Sequence, residues 1–180
     1  MVKITRSRDV ATQGGLVLLN TTAFTTQSTV SIDNLFSATY DNYTLVINVL
    51  TSANEQIRMR YRASGANDTT SNYRYHTQFT SSSSSLYVGN ASQTETSNLI
   101  ASSEGTVSSH AINLNVLSPF LSENTKFLGL HNGSGASGGG PIVGGAVHGQ
   151  FVTTTSFTGF SFYVGTGTMT GTVRIYGMRN

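Results

Sequence analysis

The segment EQIRMRYRA, which spans Glu55–Ala63, alternates between apolar and basic side chains. The apolar positions are Ile57, Met59 and Tyr61, and the basic positions are Arg58, Arg60 and Arg62. Successive side chains of a β-strand point to opposite faces of the sheet. The pattern therefore predicts a strand with one buried face and one basic face.

The residues that follow extend this pattern into a predicted hairpin. SGANDTTSN (64–72) is rich in Gly, Asn and Asp, which favour turns. YRYHTQF (73–79) then alternates again and places Arg74 and His76 on its polar side. We expect the two strands to pair and to form one basic face, made of Arg58, Arg60, Arg62, Arg74 and His76.

Most of the remaining chain also has the character of short strands. YTLVINVL (43–50) carries apolar residues on both faces, which predicts a central strand. YVGTGTMTGTVRIYG (163–177) is typical of a terminal hairpin, and DNLFSAT (33–39) is the best candidate for a helical turn. About ten strands at intervals of roughly 8–15 residues predict an all-β fold, a jelly-roll-like antiparallel β-sandwich.

The composition agrees with this fold class. Only 10% of the 180 residues are charged, whereas about a quarter are charged in an average domain. The surface must therefore be built from Ser, Thr, Asn and Gln, which suit strands and turns better than helices. We expect one sandwich domain (16–180) after an extended N-terminal arm (1–15). The chain contains no cysteine, which excludes disulfides and thiolate metal sites.

The distribution of charge limits the partners that we expect. A net charge of +2 is too small to favour nucleic-acid binding, and no apolar run reaches the roughly 18 residues of a membrane span. We therefore expect no nucleic acid and no membrane insertion. Lys3, Arg6 and Arg8 make the arm basic, so it is either a solvated tail or a segment that lies on an acidic neighbour.

The glycine-rich stretch NGSGASGGGPIVGG (132–145) contains the pattern G-x-G-x-x-G. A dinucleotide site also needs a following helix and an acidic residue about 20 residues further on. No Asp or Glu occurs after Glu123. We therefore predict a long surface loop with His131 and His148 at its feet. Its apolar residues Ile142 and Val143 are expected to pack on a neighbouring subunit or on a particle surface.

No catalytic or cofactor site stands out. Serine is too abundant for a Ser/His/Asp trio to be specific, and the single G-x-S-x-G match, GASGG (135–139), lies in the glycine-rich stretch, where no helix could start to form a nucleophile elbow. Four histidines could form a metal site, but their spacing matches no metal motif; they are His76, His110, His131 and His148. We expect no catalytic residue, no cofactor and no metal. The basic face has three interpretations: a solvated surface, an interface with a subunit or acidic partner, or a glycan or phosphate site.

Three stretches resemble a β-sandwich module of tailed-bacteriophage virion proteins, namely capsid decoration or cement proteins and tail-fibre or tail-tip proteins. They are SATYDNY (37–43), R-x-R-x-R-A-S-G (58–65) and G-T-x-x-G-T-V-R-I-Y-G (167–177). The resemblance covers about residues 16–180 and carries no catalytic residues. It implies a homotrimer on the surface of the virion, made in the host cytoplasm and mounted through an N-terminal segment.

The short arm favours one role within that group. It suits a decoration or cement protein that contacts the major capsid protein or other virion proteins directly. The alternative is a tail-fibre or tail-tip module that binds host surface glycans. An enzyme acting on polysaccharide is a more distant third. The expected interface residues are Lys3, Arg6, Arg8, Arg58, Arg60, Arg62, Arg74, His76, His131, Ile142, Val143 and His148.

Overall fold

A computed structural model describes residues 15–82, 87–102, 108–135 and 141–178. Within these ranges the chain is all-β, and its strands form two antiparallel sheets that pack as a sandwich. The predicted fold class is confirmed. No helix long and apolar enough to cross a membrane is found in these ranges.

The described residues form thirteen strands. They are β1 (Leu16–Gln27), β2 (Thr29–Ile32), β3 (Asn42–Thr51), β4 (Ile57–Ala63), β5 (Ala66–Asn67), β6 (Tyr73–Ser81), β7 (Tyr87–Glu95), β8 (Asn98–Ala101), β9 (Ser108–Leu117), β10 (Lys126–Gly135), β11 (Ile142–Phe151), β12 (Gly159–Tyr163) and β13 (Met169–Met178). The sequence predicted about ten strands. Three of the thirteen, β2, β5 and β8, are only two to four residues long.

The strands divide unequally between the two sheets. The large sheet has the order β1-β13-β3-β9-β10-β11-β6-β7. The small sheet has the order β2-β12-β4-β5, and β8 also pairs with β4. The core lies between the sheets and is built mainly from alternate residues of the longer strands, while β8 is buried along its whole length. Each sheet therefore has one face toward the core and one outer face. A predicted site residue on a described strand lies either in the core or on one of the two outer faces.

β3 is central, as predicted. It pairs with β13 on one side and with β9 on the other. Tyr43, Leu45 and Ile47 point inward and are fully buried. Leu50 points outward and is 46% exposed, so the apolar residues on the second face of this strand are not covered by the sandwich itself.

The predicted helical turn over 33–39 is wrong. The amides of Leu35 and Phe36 donate instead to the carbonyl of Thr158, at 2.7 and 3.1 Å. The hydroxyl of Tyr43 accepts a hydrogen bond from the amide of Ser37 at 2.8 Å and lies 3.2 Å from the carbonyl of the same residue. Long-range contacts of the backbone therefore replace the local hydrogen bonds of a helical turn.

Both predicted hairpins are also wrong. β4 belongs to the small sheet and β6 to the large sheet, and Tyr61 of β4 stacks on Tyr73 of β6 across the core, with ring centroids 6.0 Å apart. β12 and β13 are divided between the sheets in the same way. A strand that buries one face can pair with its neighbour in sequence or face it across the core. Alternation does not distinguish these arrangements.

Candidate functional site

The three arginines of β4 lie on the outer face of the small sheet and are bound by their own chain. The side chain of Arg62 is only 11% exposed. Its guanidinium donates to both carboxylate oxygens of Asp33, at 2.8 and 3.2 Å, and to Asn67 Oδ1 at 2.7 Å. It also donates to the carbonyl of Gly65, which closes the β4–β5 turn. Arg62 therefore stabilises this end of the small sheet.

Arg58 and Arg60 also contact groups of their own chain. Arg60 donates to the carbonyl of Thr96 at 2.9 Å, and its guanidinium carbon lies 4.6 Å from the centre of the Tyr163 ring. Arg58 lies 3.6 Å from a carboxylate oxygen of Glu95. A structural role for all three arginines thus follows from their contacts, while their expected role in an interface stays a prediction.

Arg74 and His76 do not join these arginines. They lie on β6, and their side chains are exposed on the outer face of the large sheet. Because the two sheets turn their outer faces in opposite directions, the single basic face expected from the sequence is wrong. The positive charge is divided between the two sides of the sandwich.

The four histidines form two pairs, one on each face of the large sheet. His76 and His148 are cross-strand neighbours on β6 and β11, and both are exposed on the outer face. His76 Nδ1 and His148 Nε2 are 3.2 Å apart, a hydrogen-bond distance. The described residues contain no group of three His, Cys, Asp or Glu side chains that could hold a metal ion.

The second pair is buried. His110 on β9 and His131 on β10 are 2% and 3% exposed, and His110 Nδ1 lies 3.1 Å from His131 Nε2. Gly133 leaves the space for both rings, because a Cβ there would lie 2.7 Å from His110 Nδ1 and 2.9 Å from His131 Nε2. His131 is therefore part of the core, and the interface role expected for it does not fit its burial.

Burial controls the charge of this pair. Loss of hydration lowers the pKa of His110 to about 4. Burial, with a smaller effect of His110, lowers the pKa of His131 to about 3. Both rings are neutral at pH 7. Since His110 Nε2 and His131 Nδ1 have no hydrogen-bond partner among the described residues, one imidazole N–H of the neutral pair is left there without an acceptor.

The glycine-rich stretch is shorter as a loop than predicted. Residues 132–135 extend β10 and 142–145 begin β11, and the two strands pair from Lys126↔Gln150 to Ser134↔Ile142. Val143 is 5% exposed and belongs to the core of its own chain, so its expected packing on a neighbour is wrong. Ile142 is 52% exposed on the outer face. Lys3, Arg6 and Arg8 lie outside the described residues.

The outer face of the large sheet is rich in exposed apolar residues. Seven large apolar side chains are exposed among the described residues, and six of them lie on this face: Leu16, Leu18, Leu50, Leu128, Leu130 and Ile142. The seventh, Leu121, lies in the β9–β10 connection. We call this surface the large outer face. The exposed large apolar side chains of the described ranges therefore lie mainly on one side of the sandwich.

The large outer face also contains three connected depressions. The first, of about 410 Å³, includes Asn113 and Leu130, and these residues also line the second, of about 450 Å³. The second shares Leu128 and His148 with the third, of about 680 Å³. Together they form one shallow groove, which ends beside the exposed histidine pair.

Comparison with known proteins adds little to this description. No known family profile matches the sequence, and no curated protein matches it. Among solved structures, the chain is similar to the galectin LEC-6 of Caenorhabditis elegans, with 11% identity and a TM-score of 0.35 over 87% of this chain and 95% of that one. A likeness this distant supports no statement about function.

Sequence reasoning missed Lys126, Leu128 and Gln150, which line the groove. The signal for two of them was present in KFLGLH (126–131), where Lys126 and Leu128 alternate with Phe127, a core residue. The alternation places both on the face opposite Phe127 but does not reveal that this face adjoins Arg74 and the two histidines.

Proposed function

We propose that this chain is a non-enzymatic structural protein of a bacteriophage virion, a homotrimeric capsid decoration or cement protein anchored through residues 1–15. The observation that carries the proposal is the difference between the two outer faces. Within the described ranges, six of the seven exposed large apolar residues lie on the large outer face. The three arginines of the small sheet, in contrast, are bound within their own chain. This asymmetry suits a subunit that associates through one side.

The energetics favour association through this face. Covering apolar surface contributes about 25 cal/mol for each Å² removed from water. Five of the leucine and isoleucine side chains on this face are about half exposed, and Leu130 is 67% exposed, so each would lose water contact in an interface. The proposed function is then purely associative: contacts at subunit seams and along the arm stabilise the capsid by binding its assembled state.

The resemblance to phage sandwich proteins supports the same context. Two of its motifs meet in the fold, since the ring of Tyr40 in SATYDNY lies over Gly177 at the end of the closing motif. A Cβ at Gly177 would lie 2.6 Å from the Tyr40 ring. The residues of these two motifs thus contact each other within the scaffold. Such a role fits a group of proteins that is defined by its fold and not by a reaction.

Two experiments test this function. Gold labelling of intact particles is expected to place the protein on the capsid, and labelling confined to the tail would contradict the cement role. Deletion of residues 1–15 is expected to abolish binding to capsids while the sandwich stays folded. Capsid binding that persists without the arm would refute the proposed anchor.

A second function is favoured by the groove on the large outer face. Its lining combines Leu128 and Leu130 with the amides of Asn113 and Asn115. Apolar side chains beside amides can contact the C–H faces and hydroxyl groups of a sugar. A tail-fibre or tail-tip module that binds host surface glycans is therefore the alternative. Saturable glycan binding by the isolated protein, weakened by Asn113→Ala, would support it.

A further inference from the structure

We propose that the basic end of the groove is an oxyanion site for the carboxylate or sulfate group of an anionic polysaccharide. The site consists of Arg74, His76, Lys126 and His148. The proposal rests on the alternative function, glycan binding, and names the class of glycan. It is an alternative to the cement role, because the leucines beside this site would be covered in the interface of that role.

The register of three strands brings these side chains together. Arg74, Gln150 and Lys126 are direct neighbours across β6, β11 and β10. His76, His148 and Leu128 form the next row on the same face. Neighbouring strands lie about 4.8 Å apart, and alternate residues of one strand about 6.8 Å apart. The four basic side chains therefore begin within a patch of roughly 10 by 7 Å, and all four line the same depression.

The strands that carry this patch contain no carboxylate. β6, β9, β10 and β11 contain no Asp or Glu. Glu95 ends β7, but its carboxylate pairs with Arg58 of the small sheet. Among the described residues, neither Arg74 nor Lys126 forms an ion pair. The guanidinium and ammonium donors are thus available to a ligand, unlike those of the β4 arginines.

The exposed histidine pair adds a donor in every protonation state. If His76 Nδ1 donates to His148 Nε2, then His148 Nδ1 keeps a free N–H; in the reverse arrangement His76 Nε2 keeps it. One N–H of the neutral pair therefore remains for a ligand. If the pair takes up a proton, both outward nitrogens become donors and the pair gains a positive charge.

The shape of the surface favours a polymer over a small ion. The basic end opens into the groove along Leu128 and Leu130, past the amides of Asn113 and Asn115. If an anionic sugar were bound at the histidine pair, the adjacent sugars of the same polysaccharide would lie over this neutral section. The leucines can contact the apolar faces of sugar rings, and the amides can bind hydroxyl groups.

The test measures binding of three probes by isothermal titration calorimetry at a fixed salt concentration: a dextran sulfate oligosaccharide, an oligogalacturonate and neutral dextran. Anionic probes are expected to bind and neutral dextran to bind at least about tenfold more weakly, since charge-assisted hydrogen bonds are the stronger kind. Equal binding of the neutral probe would leave glycan recognition standing and overturn the oxyanion site. Absence of binding by all three would overturn both.

Variants locate the site on the face. Arg74→Gln with Lys126→Gln, and separately His76→Gln with His148→Gln, are each expected to weaken anionic binding by about tenfold or more. Arg174→Gln is the matched control, because Arg174 is also exposed on the large outer face but lies on β13. A loss in the control as large as in the paired variants would show general attraction to a basic surface and overturn the site. All these positions are exposed, so unchanged melting temperatures will confirm that the variants fold.

Discussion

His110 and His131 lie against each other in the core with facing ring nitrogens 3.1 Å apart, 21 residues apart in the chain. In the part of the chain that the structure describes, neither remaining ring nitrogen has a hydrogen-bond partner. A neutral, buried imidazole pair is stable only while both rings stay unprotonated, since charging either ring without hydration is costly.

The free energy of unfolding is therefore expected to decrease as the pH is lowered. The folded-state pKa values of about 4 for His110 and about 3 for His131 lie below the usual value of about 6.5. Below pH 6.5 the two histidines are protonated in the unfolded chain but stay neutral in the folded protein. The contribution to stability is complete above that pH and is lost as the pH falls towards 4 and then 3. Between pH 7 and 5 the loss is about 2 kcal/mol for each histidine.

Urea unfolding at pH 7 and pH 5 measures this loss. The double variant His76→Gln with His148→Gln is the control, since it removes the exposed pair and leaves the buried pair in place. A free energy of unfolding that stays constant between these two pH values would contradict the assignment of a neutral buried pair.

Gly133→Ala is expected to destabilise the protein by about 1–3 kcal/mol, because overpacking a filled core forces side chains to move. The new Cβ would lie within 3 Å of both histidine rings. Ser134→Ala, the next position on the same strand, faces outward and is expected to have little effect. Thermal unfolding compares the two variants, and equal melting temperatures would show that the rings do not need the space at Gly133.

Gly177→Ala tests the contact between two motifs. The added Cβ would approach the Tyr40 ring to 2.6 Å, so we expect a loss of about 1–3 kcal/mol. Tyr40→Ala in the same chain removes the clash, and the second substitution should then cost less than it does alone. Additive losses in a double-mutant cycle of unfolding free energies would refute direct contact.

Leu128→Asn with Leu130→Asn is expected to dissociate the proposed trimer, because both leucines are exposed on the large outer face. Leu121→Asn is the matched control, since Leu121 is exposed away from that face. Sedimentation equilibrium reports the mass of each variant. A trimer that survives the double substitution, or a monomeric parent protein, would exclude these leucines from a subunit contact.

Much of the fold was predictable from short segments. The alternation in EQIRMRYRA correctly assigns Ile57, Met59 and Tyr61 to the core, and the two apolar faces of YTLVINVL correctly indicate a central strand. The neighbours of these strands were not predictable. Tyr61 and Tyr73 looked like residues of one hairpin, yet they meet across the core from different sheets.

The candidate site shows the same limit. Arg74 and Lys126 lie 52 positions apart in the sequence, and His76 and His148 are separated by 72 positions. The sequence by itself determined the fold class and the inward or outward direction of most side chains, since direction depends only on alternation within one strand. Only the tertiary structure decided which basic residues share a face and which histidines meet. Those contacts depend on the order and register of strands far apart in the chain, which no local pattern records.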